Sequence, residues 1–250
     1  MSIALRTDRL SRSWGALRAV DDLTFKIVAG ARHALIGPNG AGKTTLINLL
    51  TGYVAPTNGD IFLGDEKITG LPQFRRVKRG ITRTFQISHL FPGLTVAEAV
   101  VLAALERSGR GGSMGRPVSK HRDVVDEARA LLKTLRLDHE QNTLIRNLAY
   151  GKQRVLEIAL ALATRPRILL LDEPAAGIPV GESGEIFGII SALPRDVTIL
   201  FIEHDMNLVF RFAEYITVMA SGRIFAEGTP DQIASDVRVK EVYLGESIHD

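Results

Sequence analysis

The chain has 250 residues, enough to bury a sizeable core as one large domain or as a domain with an added lobe. With 45% hydrophobic and 24% charged residues, a net charge of +3 and basic residues spread along its length, it has an ordinary globular composition and no basic stripe for a nucleic acid to follow. The absence of cysteine excludes a disulfide framework and a thiolate metal site and fits a reducing compartment, and no apolar run nears the roughly 18 residues of a membrane span, "AVVLAAL" (99–105) being among the longest.

In chain order, the first stretch carries Arg6, Asp8 and Arg9 where a secretion signal would need its apolar core, so export is not expected. Trp14, the only tryptophan, lies in the polar segment "SRSWGALRAV" and serves either as core filler or as a flat face for an adenine ring. "FKIV" (25–28) and "RHALIG" (32–37) read as strands, the second apolar enough to lie inside a sheet covered on both faces. Directly after it, "GPNGAGKT" (37–44) matches G-x-x-x-x-G-K-[ST], with the helical "TLINLL" behind it. Gly37, Gly40 and Gly42 let the backbone turn its N–H groups inward on an anion, Lys43 supplies a point charge for the outer phosphates, and Thr44 offers a hydroxyl to magnesium. The strand before and the helix after distinguish this from an ordinary glycine-rich turn.

Gln86, in "RTFQ", ends the strand-rich third; alone, such a glutamine is more often a surface residue. The next segment, "ISHLFPGLTVAEAV", sets Ile87, Leu90, Phe91 and Leu94 in a loop-like context. "RSGRGGSMGR" (107–116) is glycine-rich and without period, a flexible surface loop. Beyond it, Val124, Ala128, Leu131 and Leu135 fall at helical spacing, so "HRDVVDEARALLKTLRL" is an amphipathic helix within a helical middle that runs from about Ile87 to Thr164.

"LAYGKQ" (148–153) then sets Gly151 in a polar turn ahead of "RVLEIALALA", the pattern of a phosphate-binding helix start, in a chain that already has a phosphate loop. "ILLLDE" places Asp172 and Glu173 at the end of a buried strand, where Asp172 can hold a metal through water and Glu173 can orient or deprotonate an attacking water. This strand is expected to lie beside the one that feeds the phosphate loop, so that both open into one crevice. "VTILFI" (197–202) is another buried strand, followed by His204; a lone histidine there is more often structural. "YITVMASGRIFAEG" looks like two strands joined at Ser221 and Gly222, and in "TPDQI" Thr229, Pro230 and Gln232 fit a capping box with proline at the first helical position. The order of elements points to an α/β phosphate-loop core with an inserted helical lobe.

The succession of aromatic residue, phosphate loop, glutamine, "NLAYG", "LLLDEP" and histidine resembles an ATP-binding cassette (ABC) ATPase over essentially the whole chain. "DEPAAG", "EHDM", "EGTP" and "YLGE" extend the resemblance to the nucleotide-binding subunits of branched-chain amino-acid importers. It implies a P-loop NTPase core with an N-terminal antiparallel β subdomain (residues 1–86 and 165–250 together), an inserted α-helical subdomain (87–164) and a tail helix at about 229–244.

It further implies ATP and Mg2+ as cofactors, with Trp14 stacked on adenine, Val20 beside it, and Gly37, Pro38, Asn39, Gly40, Ala41, Gly42, Lys43, Thr44 and Thr45 around the phosphates. Thr44, Gln86 and Asp172 would serve the metal, Gln86 also the attacking water, Glu173 the role of general base, and His204 the γ-phosphate. In the family the signature turn, here Ala149, Tyr150, Gly151 and Lys152, caps the γ-phosphate held by a second, facing subunit, which explains a second phosphate site in one chain. The commoner signature reads Leu-Ser-Gly-Gly-Gln, and Pro179 stands where many cassettes have an aspartate. The partners implied are a second ATPase subunit, integral-membrane permeases at the cytoplasmic face of the inner (plasma) membrane and, indirectly, a periplasmic or surface solute-binding protein. Ile87, Leu90, Phe91 and Leu94 would form part of the permease dock. A lipid-export cassette shares the layout; a cassette acting on nucleic acid or ribosomes would show a second cassette or long coiled-coil inserts.

Overall fold

The computed structural model describes residues 2–84, 90–110 and 121–244; Gln86, Ile87 and residues 111–116 of the expected surface loop lie outside the described residues. β1 (Ile3–Trp14) and β2 (Leu17–Leu23) form a hairpin, and β3 (Lys26–Val28) pairs antiparallel with the first half of β1. β4 (Arg32–Ile36) leads through the phosphate loop into α1 (Lys43–Thr51). β5 (Asn58–Leu63), β6 (Glu66–Lys67), α2 (Gln73–Lys78) and β7 (Ile81–Arg83) follow. Then come α3 (Val96–Arg107), α4 (Arg122–Thr134) and α5 (Tyr150–Ala163). The chain closes with β8 (Ile168–Asp172), α6 (Val180–Ser191), β9 (Thr198–Ile202), α7 (Met206–Phe212), β10 (Tyr215–Ala220), β11 (Arg223–Gly228), α8 (Pro230–Ser235) and α9 (Val237–Leu244).

Two sheets result. The first is antiparallel, in the order β2-β1-β5-β6 with β3 also on β1; the second has six strands in the order β11-β10-β4-β9-β8-β7, parallel throughout except for β11. Every residue of β4, β8 and β9 is buried, because the pleat sends alternate side chains to two different cores. Leu169, Leu171, Ile199 and Phe201 face the helices α3 to α7, whereas Ile168, Leu170, Leu200 and Ile202 face α1 and the antiparallel sheet. β8 is not the neighbour of β4, contrary to the sequence-based expectation: β9 stands between them, pairing Leu35 with Ile202 on one side and Asp172 with Ile202 on the other. Since all three strands run parallel, their C-terminal ends still open on one edge.

The helical elements follow local signals. Thr95 accepts from the Glu98 amide while the Glu98 carboxylate accepts from the Thr95 amide, a capping box that starts α3 inside the segment read as loop-like. Leu90 and Leu94 pack partly against the helical core, whereas Phe91 is 65% exposed. In α4, Val124 and Ala128 are buried as spaced, as is Leu135 just beyond it; Leu132 is buried more fully than Leu131. Arg107, placed by sequence in the loop, is the last residue of α3 and holds Glu127 of α4 through two bonds of 2.6 and 2.8 Å. The tail is two helices rather than one: the Thr229 and Gln232 capping box starts α8, and Asp236 turns extended and accepts the Arg238 amide at 2.9 Å to start α9.

Candidate functional site

The phosphate loop is shaped by contacts from outside it. A Cβ on Gly37 would lie 2.1 Å from the Met219 carbonyl oxygen and one on Gly42 2.2 Å from that of Ala19, so only glycine fits where β2 and β10 clasp the loop. The Gly222 amide completes the clasp by donating to the Ala41 carbonyl at 3.0 Å. Inside it, Lys43 Nζ donates to the carbonyls of Gly37 (2.6 Å) and Pro38 (2.8 Å). Asn39, Gly40 and Thr44 are exposed, Pro38 and Thr45 are half-buried, and the Ala41 side chain is buried. Gly42 caps α1 without a side chain, so the amides of the first turn are directed at whatever the loop holds.

Carboxylates line the neighbouring strand ends. Asp172 is buried, its carboxylate closed upon by the guanidinium of Arg83 on β7, whose other amino group donates to Asn48 Oδ1 of α1 at 2.6 Å. Glu173 is half-buried and takes a left-handed backbone, φ 48°, with its amide on the Ile202 carbonyl at 3.1 Å and its carbonyl accepting from Ala176 at 3.0 Å. This conformation costs a non-glycine residue energy, and the two backbone bonds hold Glu173 in it. His204 is mostly exposed.

Three residues of this region escaped the sequence reading. Glu203, directly before His204, has a side chain only 1% exposed and accepts the amides of Ala175 and His204, each at 3.2 Å. Burial pushes its carboxyl pKa up; the two amides and His204 pull it down, and the charge of Glu173 adds to the rise. Arg83 and Asn48 are the others; Asn48 had the signal of a polar side chain within the otherwise apolar "LINLL", and Arg83, in "GITR", had none.

Trp14 is not core filler: it is 45% exposed at the end of the β1–β2 hairpin, with the Arg12 guanidinium carbon 4.8 Å from its ring centre. The residue beside it is Leu17, its cross-strand partner, also exposed. Val20 is fully buried in the core and offers no surface to a base, which corrects its assignment; β2 turns that side chain inward.

The signature residues sit at the head of α5. Ala149 caps it in extended conformation without a side-chain bond, and Ala149, Tyr150 and Lys152 are exposed. Gly151 is half-buried, with Glu182 Oε2 3.4 Å from where a Cβ would stand. α5 packs on α3, α4 and α6, whereas α1 packs on β2, α2 and β7, so the two phosphate-type helix starts are carried by different elements. Pro179 caps α6 by its carbonyl alone, which accepts from Glu182 at 2.8 Å.

An anion loop with a lysine, a buried and a half-buried carboxylate in succession at the end of β8, and a histidine just past the end of the neighbouring β9 form the kit of nucleotide hydrolysis. Residues 20–176 match the family described as ABC transporter, and residues 223–249 match the family described as branched-chain amino acid ATP-binding cassette transporter. The chain is 40% identical over 250 residues to the high-affinity branched-chain amino acid transport ATP-binding protein BraF of Pseudomonas aeruginosa, with 97% of this chain and 98% of that protein covered. The same values hold for LivG of Escherichia coli strain K12, which carries the same description. Among solved structures it is similar to the ADP conformation of an ATP-binding cassette of an ABC transporter, at 29% identity and TM-score 0.86, covering 98% of this chain and 100% of that one. Fold and likeness agree, and the chain belongs to the ABC transporter family as an ATP-hydrolysing, ATP-binding subunit.

Proposed function

We propose that this subunit powers the import of branched-chain amino acids, acting as one of two facing cassettes on the cytoplasmic side of membrane permeases fed by a solute-binding protein. The observation that carries the paired reading is the separation of the two helix starts: the phosphate loop with α1 and the signature turn with α5 hang on different elements. In the proposed pair, the α5 amides of one chain meet the phosphate held by the loop of the other. The solute assignment rests on the names of the relatives and on the match at residues 223–249.

In this reading, Trp14 stacks on the base, Lys43 leaves the carbonyls of Gly37 and Pro38 for the outer phosphates, and the loop amides take the rest. Glu173 accepts the proton of the attacking water and His204 donates to the γ-phosphate. The exposed Thr44 hydroxyl is a hard oxygen that suits Mg2+, the Asp172 carboxylate, buried and held by Arg83, would serve the ion through a water, and the Gln86 side chain would be a third donor. When bound, the ion neutralises charge developing on the transferred phosphoryl group. Residues 87–164 act as the lobe that meets the permease, with Leu90, Phe91 and Leu94 at its edge; the exposure of Phe91 supports this.

Reconstitution tests the reading. The subunit is combined in liposomes with permeases of a branched-chain amino acid transporter, and ATP-driven uptake of labelled leucine, isoleucine and valine is measured. Uptake of these, abolished by Glu173→Gln, is the expected result; uptake of an unrelated solute overturns the solute assignment, and extrusion overturns import.

A further inference from the structure

The first turn of α5 does more than face outward. Tyr150 reaches back within its own chain and donates its hydroxyl to the Ala176 carbonyl at 3.3 Å, three residues after Glu173. The same hydroxyl accepts from Arg154 Nη2 at 2.8 Å, and Arg154 Nη1 donates to Glu157 Oε2 at 2.9 Å. The Arg154 and Glu157 side chains are only 8% and 11% exposed, so the hydroxyl is oriented from a largely buried pair rather than from a mobile surface charge. Ring contact adds to the bond. Gly177 takes φ +74°, and a Cβ there would lie 3.3 Å from the Tyr150 ring edge and hydroxyl, so the loop abuts the hydroxyl-bearing edge of the ring.

The loop in question is short and held through two successive amides. The Ala176 amide donates to the Glu173 carbonyl, and the Ala175 amide donates to buried Glu203. Tyr150 bonds this loop from α5, and the loop leads by a single backbone turn to Glu173.

We infer that Tyr150, oriented by Arg154, is a positioning residue that clamps the loop of residues 174–177 to α5, so that the place of α5 sets the place of Glu173. Glycine at position 150, as in the commoner signature, has no group to make this bond; the tyrosine supplies within the chain a link between the signature turn and the catalytic carboxylate. The inference rests on Glu173 being the general base. The ring packs the loop, and the hydroxyl fixes its register against the helix.

The test uses Tyr150→Phe, which keeps the ring and removes only the hydroxyl, in the full chain. Two readouts are taken: hydrogen exchange of the amides of Ala175, Ala176 and Gly177 without nucleotide, and steady-state ATP hydrolysis resolved into kcat and KM. Faster exchange at these amides, with kcat lowered about 2- to 10-fold, the equivalent of one neutral hydrogen bond, and KM unchanged, is expected. Unchanged exchange overturns the clamp. Faster exchange with unchanged kcat overturns the link to Glu173. Arg154→Lys, which keeps the charge and restores a donor, should recover more of kcat than Arg154→Met; equal loss in both overturns the orienting role of Arg154. Failure of the base assignment itself is read separately, from Glu173→Gln that retains turnover, and leaves the exchange result standing.

Discussion

The guanidinium of Arg83 closes on the buried carboxylate of Asp172 while its second amino group holds Asn48, tying β7, β8 and α1 together at the head of the nucleotide site. Removing one partner leaves the other charge buried, which typically costs about 3–5 kcal/mol. Arg83→Met should lose stability of this order in urea denaturation. Arg83→Met with Asp172→Leu should regain a good part of it, and additive losses in the double-mutant cycle would contradict the pairing.

Lys43 donates to two loop carbonyls that a nucleotide would replace as its partners. Lys43→Ala should weaken ATP binding by about 10- to 100-fold, the equivalent of a charged hydrogen bond, and abolish hydrolysis. Calorimetric titration with ATP reads the first and phosphate release the second.

Glu173 stands at a strained backbone position at the end of β8. Glu173→Gln should preserve ATP binding while slowing hydrolysis by roughly 10²–10⁴-fold, as expected for loss of a general base. With turnover blocked, ATP and magnesium should trap a dimer, seen as a doubling of mass in light scattering.

Glu203 gives a pH signature. Its folded pKa is raised, chiefly by burial, so the stability linked to it is fully present below its unfolded pKa and is lost as pH rises through the folded value. The unfolding free energy of the native chain, relative to Glu203→Gln, should therefore decline from acid toward neutral pH. Denaturant curves at a series of pH values check the sign; a difference that grows with pH contradicts it.

Gly151 separates the two phosphate sites. Gly151→Asp adds a carboxylate beside Glu182 and at the face offered to a second subunit's phosphate, opposing closure by sterics and repulsion. The monomer should bind ATP with nearly its original affinity and fail to hydrolyse it. Gly151→Ala, which adds bulk alone, should fall between. A large loss of ATP affinity in monomeric Gly151→Asp would show that the turn serves its own chain.

What the sequence determined by itself were the features written in neighbouring residues. Glycine spacing, Lys43 and the flanking strand and helix marked the phosphate loop, and four apolar residues ahead of Asp172 marked a doubly covered strand. The capping box at Thr229 and the spacing in α4 are local in the same sense, since a helix start and an apolar face are encoded within one or two turns. The tertiary structure alone decided which strands touch. β9 is inserted between β4 and β8 because sheet order depends on crossovers between distant segments, about which a strand's own residues say little. Burial of Val20, the hold of Arg83 on Asp172 across 89 positions, and the reach of Tyr150 to Ala176 across 26 are of that kind. Each joins residues from different elements, and only the packing of those elements brings the side chains within bonding distance.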